Sequence, residues 1–402
     1  MDELNLEQLY IAYNARLKEC STSFVRYLYK QINWSVRMIG IKGARGVGKT
    51  TLLLQRIKLA FDSPDKAMYA SLDNIWFDSH SLFDLVNYLN NRGIYWLFLD
   101  EVHKCSDWAK LLKNVYDSFP KMNIVYTSSS MLQIDHSQAD LSRRQTLYTL
   151  NAMSFREYLE YEGIASEESF SLEDILTHHV SIATDLTSKT DELMLHFERY
   201  LKSGCYPFYK ESGEDFLIRL RETVQTVIDV DMPAVEKVEF ETLSKIRKML
   251  MILAVQVPFV PNIETLSNQI ASTRNQTLRL LYLLDKAKLL KLITQKAKSY
   301  DNLVKPEKIL MDNSNLMYCL SSSTEIGTIR ETFFANQLSC VGDVTAPQQG
   351  DYQVNDRYLF EVGGKKKTYK QIKDIPDSFL AVDAMPVGFG NRIPLWLFGM
   401  LY

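Results

Sequence analysis

The sequence predicts an α/β fold: a parallel-sheet core in the first third of the chain, a helical segment after it, a winged helix-turn-helix, and a small α/β domain at the end. Three features point there. Apolar strand-like runs alternate with amphipathic helices up to about residue 150. A glycine-rich turn, "GARGVGKTT", lies between one such strand and one such helix. The net charge of −3 resolves into −7 over residues 1–231, +5 over 232–315 and −1 over 316–402, so composition itself divides the chain.

Residues 6–32 have helical periodicity and lead into a short strand, "VRMIGI", that delivers the chain to the glycine-rich turn. "TLLLQRIKLAF" continues as a helix, "AMYASLD" as a strand, "LFDLVNYLNNRG" as a helix, "IYWLFLDE" as a buried strand, and "NIVYTSSS" as a strand with a polar end. Strands that alternate with helices form parallel sheets covered on both faces. From "SFREYLEYEG" to about residue 231 the pattern is helical and acidic, as a lid after the sheet would be. Next come helices "FETLSKIRKMLMILA", "IETLSNQIA" and "RNQTLRLLYLLDKAK", and two strands, "LLKLITQ" and "KILMDN", in winged-helix order. Residues 325–402 offer a helix, "TIRETFFANQLSCV", two or three short strands around 351–362, a helix near 368–375, and an apolar end, "IPLWLFGMLY". The domains expected are 1–150, 151–231, 232–315 and 316–402.

Gly43-Ala44-Arg45-Gly46-Val47-Gly48-Lys49-Thr50 matches the P-loop in full, in the strand-to-helix context the motif requires. Backbone N–H groups of such a loop cradle phosphates at a helix N-terminus. Lys49 would reach the β- and γ-phosphates, and Thr50, with Thr51 beside it in the first turn, would meet Mg²⁺. The second half of the site is "WLFLDE": Asp100 to hold the magnesium shell and Glu101 to orient and polarise the attacking water. Adjacent acids at the end of a buried strand are costly unless a cation neutralises them. Ser128, Ser129 and Ser130 end the next strand, where one hydroxyl would sense the γ-phosphate or merely terminate the strand. Arg143 and Arg144 are either an arginine finger acting across a homo-oligomer interface or a surface pair.

The runs "IGIKGARGVGKTTLLLQ", "LFLDEVHKCSDWAKLLKNVYDSFP", "VYTSSSMLQ", "DLSRRQTLYTLNAMSFREYL", "YLKSGCYPF" and "YLFEVGGKKKTYKQI" resemble the AAA-type P-loop ATPases of bacteria and archaea that carry a C-terminal domain of restriction-endonuclease-like fold. The resemblance spans essentially the whole chain. It implies an AAA-type core, a small helical lid, a winged helix and that terminal domain, with ATP and Mg²⁺ as ligands. The family often has Gly where this chain has Ser128, and the sensor falls to Ser129.

In the basic middle, Thr273 has the form of an N-cap with Gln276 three residues on. Arg274, Asn275 and Arg279 are candidates for phosphate or base contacts to DNA. Winged helices also serve as protein-protein spacers. In the terminal domain, nucleases of the fold just named hold Mg²⁺ with an Asp and the Glu of E-x-K. Here Asp351 precedes Glu361 by ten positions and Glu331 offers a third carboxylate, but Gly363 occupies the lysine position and the first lysine is Lys365. Either a bulge at Gly363-Gly364 returns Lys365 to Glu361, or Lys365–Lys367 form a solvated or phosphate-binding patch.

The acidic, polar N-terminus lacks a secretory signal's pattern, and "MLMILAVQVPFV" is too short to span a bilayer, so a cytoplasmic protein without membrane contact is expected. Five scattered cysteines and the lone His178-His179 pair offer neither a disulfide framework nor a zinc site. The expected function is ATP binding and Mg²⁺-dependent hydrolysis coupled to nucleic acid or another partner. The alternatives are a low-turnover nucleotide switch acting as a regulatory or defence scaffold, and an ATP-regulated nuclease.

Overall fold

The computed structural model describes residues 5–105, 107–128, 141–233, 240–255, 262–295, 304–321 and 323–402. The chain forms two compact units, Met1–Asn151 and Ala152–Tyr402.

In the first unit the described elements are α1 (Glu7–Glu19), β1 (Met38–Lys42), α2 (Lys49–Ala60), β2 (Ala67–Ser71), α3 (Leu82–Asn91), β3 (Trp96–Asp100), α4 (Trp108–Ser118), β4 (Asn123–Ser128) and β5 (Thr146–Thr149). The strands form one parallel sheet in the order β2-β3-β4-β1-β5. Leu97, Phe98 and Leu99 of β3 are fully buried, as continuous apolar runs must be when helices cover both faces. The registers Ser71↔Asp100 and Lys42↔Ser128 align the C-terminal ends of these strands along one edge, where open α/β sheets bind ligands. The helix expected over 6–32 ends at Glu19 and resumes only for one turn, Leu28–Gln31. Ser21 Oγ accepts the Ser23 N–H at 3.2 Å, a local bond that competes with the helical ladder.

The second unit begins with four helices of two turns or more, α5 (Phe155–Glu162), α6 (Leu172–Lys189), α7 (Leu193–Ser203) and α8 (Phe216–Thr226), with the one-turn helix Tyr209–Ser212 between the last two. Then come α9 (Phe240–Val255), α10 (Ile263–Gln269), α11 (Arg274–Lys286) and the antiparallel pair β6 (Leu290–Ile293) and β7 (Lys308–Met311). Asn262 and Thr273 cap α10 and α11 by accepting the Thr265 and Gln276 N–H groups at 3.1 and 3.3 Å.

The chain ends with α12 (Ser314–Leu320), α13 (Ile326–Leu338), β8 (Val344–Thr345), β9 (Tyr352–Val354), β10 (Tyr358–Gly363), β11 (Ser378–Val382) and β12 (Arg392–Pro394). These five strands order as β12-β11-β10-β9-β8; β10, β11 and β12 pair in parallel, while β8 and β9 run antiparallel. The sequence suggested two or three strands around 351–362, where β9 and β10 lie; β8, β11 and β12 fall outside that span. β8 and β12 have two and three residues, too few for a periodic signal. The helix expected near 368–375 is a single 3-10 turn, Tyr369–Gln371, because Pro376 biases the residue before it away from helical backbone.

Residues 152–402 pack as one compact unit. Phe197 of α7 meets Phe333 of α13 edge-on at 5.0 Å, and Ser154 Oγ and Arg156 Nε donate to the Tyr402 carbonyl at 2.6 and 2.9 Å. Phe334 of α13 covers the sheet against Phe360 and Phe398 at 5.1 and 5.0 Å. Among the described residues no helix is long and apolar enough to cross a membrane.

Candidate functional site

The glycine-rich turn joins β1 to α2. Gly46 and Gly48 adopt φ of 85° and 96°, a left-handed backbone that a side chain would strain. Val47 is fully buried beneath the loop. Arg26, 4% exposed, braces it from below by donating to the Val47 carbonyl and, at 2.8 Å, to the Asn151 carbonyl. Lys49 is buried and its Nζ donates to the carbonyls of Gly43 and Ala44, each at 2.9 Å. Ala44 and Arg45 are half-buried, Gly46 and Thr51 exposed.

The two halves of the site meet at Asp100, which is 1% exposed. Thr50 Oγ1 donates to Asp100 Oδ2 at 2.7 Å. The Tyr69 hydroxyl donates to the same oxygen at 2.9 Å, and Thr127 Oγ1 donates to Oδ1. Arg16 of α1 donates to the Tyr69 hydroxyl at 2.8 Å and brings its guanidinium to 3.9 Å from Asp100. Burial, then the Asp100 charge, pushes the Tyr69 phenol far above its ordinary range, so the group stays a donor. The neighbouring Glu101 turns away with φ 53°; its N–H donates to Thr127 Oγ1 at 3.3 Å, and its Oε2 lies 3.2 Å from Nε2 of buried His103.

Mg²⁺ bound with a nucleotide needs only one or two protein oxygens, and the Thr50 hydroxyl beside the Asp100 carboxylate fits that donor set. Among the described residues no group of three or more His, Cys, Asp or Glu side chains is arranged to hold a metal ion. Ser128 is fully buried at the end of β4; Ser129 and Ser130 lie outside the described residues. Arg144 makes a two-pronged bond to Asp117 at 2.9 Å per contact, while Arg143 is exposed. Arg16, Arg26, Tyr69, Thr127 and His103 carry no motif signal, because only the fold brings them to the loop and the acids.

In the second unit two lysines link the acids, Lys308 between Glu331 and Asp351 and another between Asp351 and Glu361, and that other lysine is not Lys365. Lys365 is exposed in the turn after β10. Lys367 folds back instead: its N–H bonds the Gly364 carbonyl at 2.9 Å, and its Nζ lies 2.6 Å from Glu361 Oε2 and 3.4 Å from Asp351 Oδ2. Gly363 makes room, since a Cβ there would sit 2.8 Å from Lys367 Cβ.

A second cation, Lys308 of β7, lies 2.7 Å from Glu331 and 3.4 Å from Asp351, over the Tyr352 ring. Burial alone would lower the Lys367 ammonium; its close pairing with Glu361 and the charge of Asp351 outweigh that and raise it. Glu361 is 1% exposed; its contact with Lys367 is an ion pair by distance rather than an aligned hydrogen bond, and Oε1 has no hydrogen-bond partner among the described residues.

On α11, Arg274, Asn275 and Arg279 are exposed, opposite the buried Leu278, Leu281 and Leu284.

Comparison with known proteins bears on the first site. Residues 35–159 match the family model described as an AAA domain. An uncharacterized protein of Methanocaldococcus jannaschii is 30% identical over 270 residues, 63% of this chain and 56% of that one, so the chain spans little more than half its relative's length. Among solved structures, the Walker-type ATPase of Pyrococcus abyssi aligns at 12% identity and a TM-score of 0.40, covering 79% of this chain and 96% of that one. The Aeropyrum pernix Orc1 protein in complex with DNA aligns at 14% and 0.31, covering 78% and 92%. Scores this low decide nothing about this chain. The match to the AAA domain model, residues 35–159, contains both the complete loop and the Thr50–Asp100 contact.

Proposed function

We propose that the protein binds and hydrolyses ATP with Mg²⁺ in its first unit and couples the cycle to nucleic acid or another partner through its second. The observation that carries this reading is the 2.7 Å bond between Thr50 and Asp100, which joins the loop to the acidic strand end. Lys49 would exchange the carbonyls of Gly43 and Ala44 for the β- and γ-phosphate oxygens. Thr50 and Asp100 would hold Mg²⁺, which would supply positive charge against the phosphate oxygens. Glu101 would accept a proton from the attacking water. Arg143 is the better placed of the two arginines to act across a subunit interface, since Asp117 engages Arg144.

The exposed Arg274, Asn275 and Arg279 of α11, followed by the β6–β7 pair, support a winged helix that meets DNA. Steady-state ATPase with and without duplex DNA tests the whole reading. A DNA-stimulated rate abolished by Lys49→Ala is expected. ATP binding without turnover by the wild type would reject hydrolysis in favour of the low-turnover switch.

A nuclease is the second reading, on a restriction-endonuclease-like terminal domain. It is favoured by the unpartnered, buried Glu361 Oε1 beside Asp351, with Lys367 in the lysine role. Metal-dependent DNA cleavage must vanish in Glu361→Ala; cleavage that persists in that variant excludes this site.

A further inference from the structure

Glu101 and Asp100 are adjacent in sequence yet held by different means. Asp100 ends β3 and receives three hydroxyl donors, from Thr50, Tyr69 and Thr127. Glu101 leaves the strand in a left-handed backbone, φ 53°, which a non-glycine residue adopts only where its surroundings impose it. The Thr127 hydroxyl accepts the Glu101 N–H, and the 3-10 turn Val102–Lys104 closes behind it, with the Lys104 N–H on the Glu101 carbonyl at 3.0 Å. That turn carries His103, 3% exposed, whose Nε2 lies 3.2 Å from Glu101 Oε2. The contact is an ion-pair distance, with the imidazole facing the carboxylate.

We propose that His103 is a positioning residue that sets the direction of the Glu101 carboxylate for proton acceptance. The inference rests on the ATPase reading above. A partly exposed glutamate samples several rotamers, and a buried imidazole two residues along the same turn, in contact with its carboxylate, favours one of them before the substrate arrives. Binding of the nucleotide, which depends on the loop and Lys49, should not feel it.

The test compares kcat, KM and the Kd of a non-hydrolysable Mg·ATP analogue in the wild type, His103→Leu and His103→Gln. Misdirection of a catalytic group can cost as much as about 100-fold, and we expect His103→Leu to lower kcat by about 10-fold or more, with KM and Kd within about twofold of wild type. His103→Gln, whose amide N–H can donate to Glu101, should recover most of that rate. Wild-type kcat in His103→Leu, or equal losses in kcat and nucleotide affinity, would overturn the proposal. Should His103→Leu not fold, the ¹⁵N shift of His103 Nε2 decides: it is expected to move in Glu101→Gln, and no movement overturns the contact. Absence of turnover in the wild type removes the ATPase reading and this inference together; turnover indifferent to His103→Leu removes this inference alone.

Discussion

Three hydroxyls and a carboxylate set the residue scale of the nucleotide site. Tyr69→Phe deletes one donor to Asp100 and leaves Thr50 and Thr127 in place. We expect a loss of about 1 kcal/mol in denaturant unfolding, with nucleotide affinity retained. Two buried thiols give a pH signature. Burial pushes Cys205 up to about 11 and Cys319 up to about 12, from an ordinary value of 9.0. A raised thiol contributes stability that is present below pH 9 and lost as pH rises through the folded values, so unfolding midpoints should fall between about pH 9 and 12. Alkylation of both at pH 8 should require denaturant; rapid labelling of the native protein would contradict their burial. Lys49 and Thr50 could be named from the sequence because a glycine-rich strand-to-helix turn is a local pattern, and Asp100 and Glu101 because they end an apolar run; their meeting across fifty positions is the work of the sheet. The place of Lys367 could not be read: its approach to Glu361 depends on a turn whose path the letters "GGKKK" leave open.

At the scale of elements, that turn is itself testable. Gly363→Ala would place a methyl 2.8 Å from Lys367 Cβ and force the lysine outward, away from Glu361 and Asp351. Leaving a buried carboxylate without its cation costs about 3–5 kcal/mol, and thermal unfolding should shift accordingly. An unchanged midpoint would mean the turn relaxes without moving Lys367. The α11 helix carries a second expectation. If Arg274 and Arg279 meet phosphates, each alanine variant should reduce the slope of log affinity for duplex DNA against log salt by about 1. The N-cap at Thr273 was readable because a threonine three residues before glutamine is a local signature, and the cap bond forms with Gln276. The Gln276 side chain accepts instead from Ser272 Oγ at 2.8 Å. The reciprocal half of a capping box is a choice among neighbours of similar energy, beyond what spacing settles.

Across the molecule, the second unit depends on aromatic contacts between segments distant in sequence. Phe333, 2% exposed, touches Phe197 and Tyr200 at ring distances of 5.0 and 6.0 Å. Phe333→Ala should cost about 3–5 kcal/mol. Amide exchange in α7 and in β10 should accelerate together, because both belong to Ala152–Tyr402; acceleration confined to α13 would indicate separately folding parts. The sequence by itself determined the parallel core and its loop, since alternating apolar runs and a glycine-rich strand-to-helix turn are local patterns with few structural solutions. Only the tertiary structure decided that the helices after residue 151 share one core with the terminal sheet, and which lysines face Asp351 and Glu361. It alone placed Arg16, Tyr69 and His103 at the acids that end β3. Those outcomes are set by packing between residues far apart in the chain, to which local periodicity is blind.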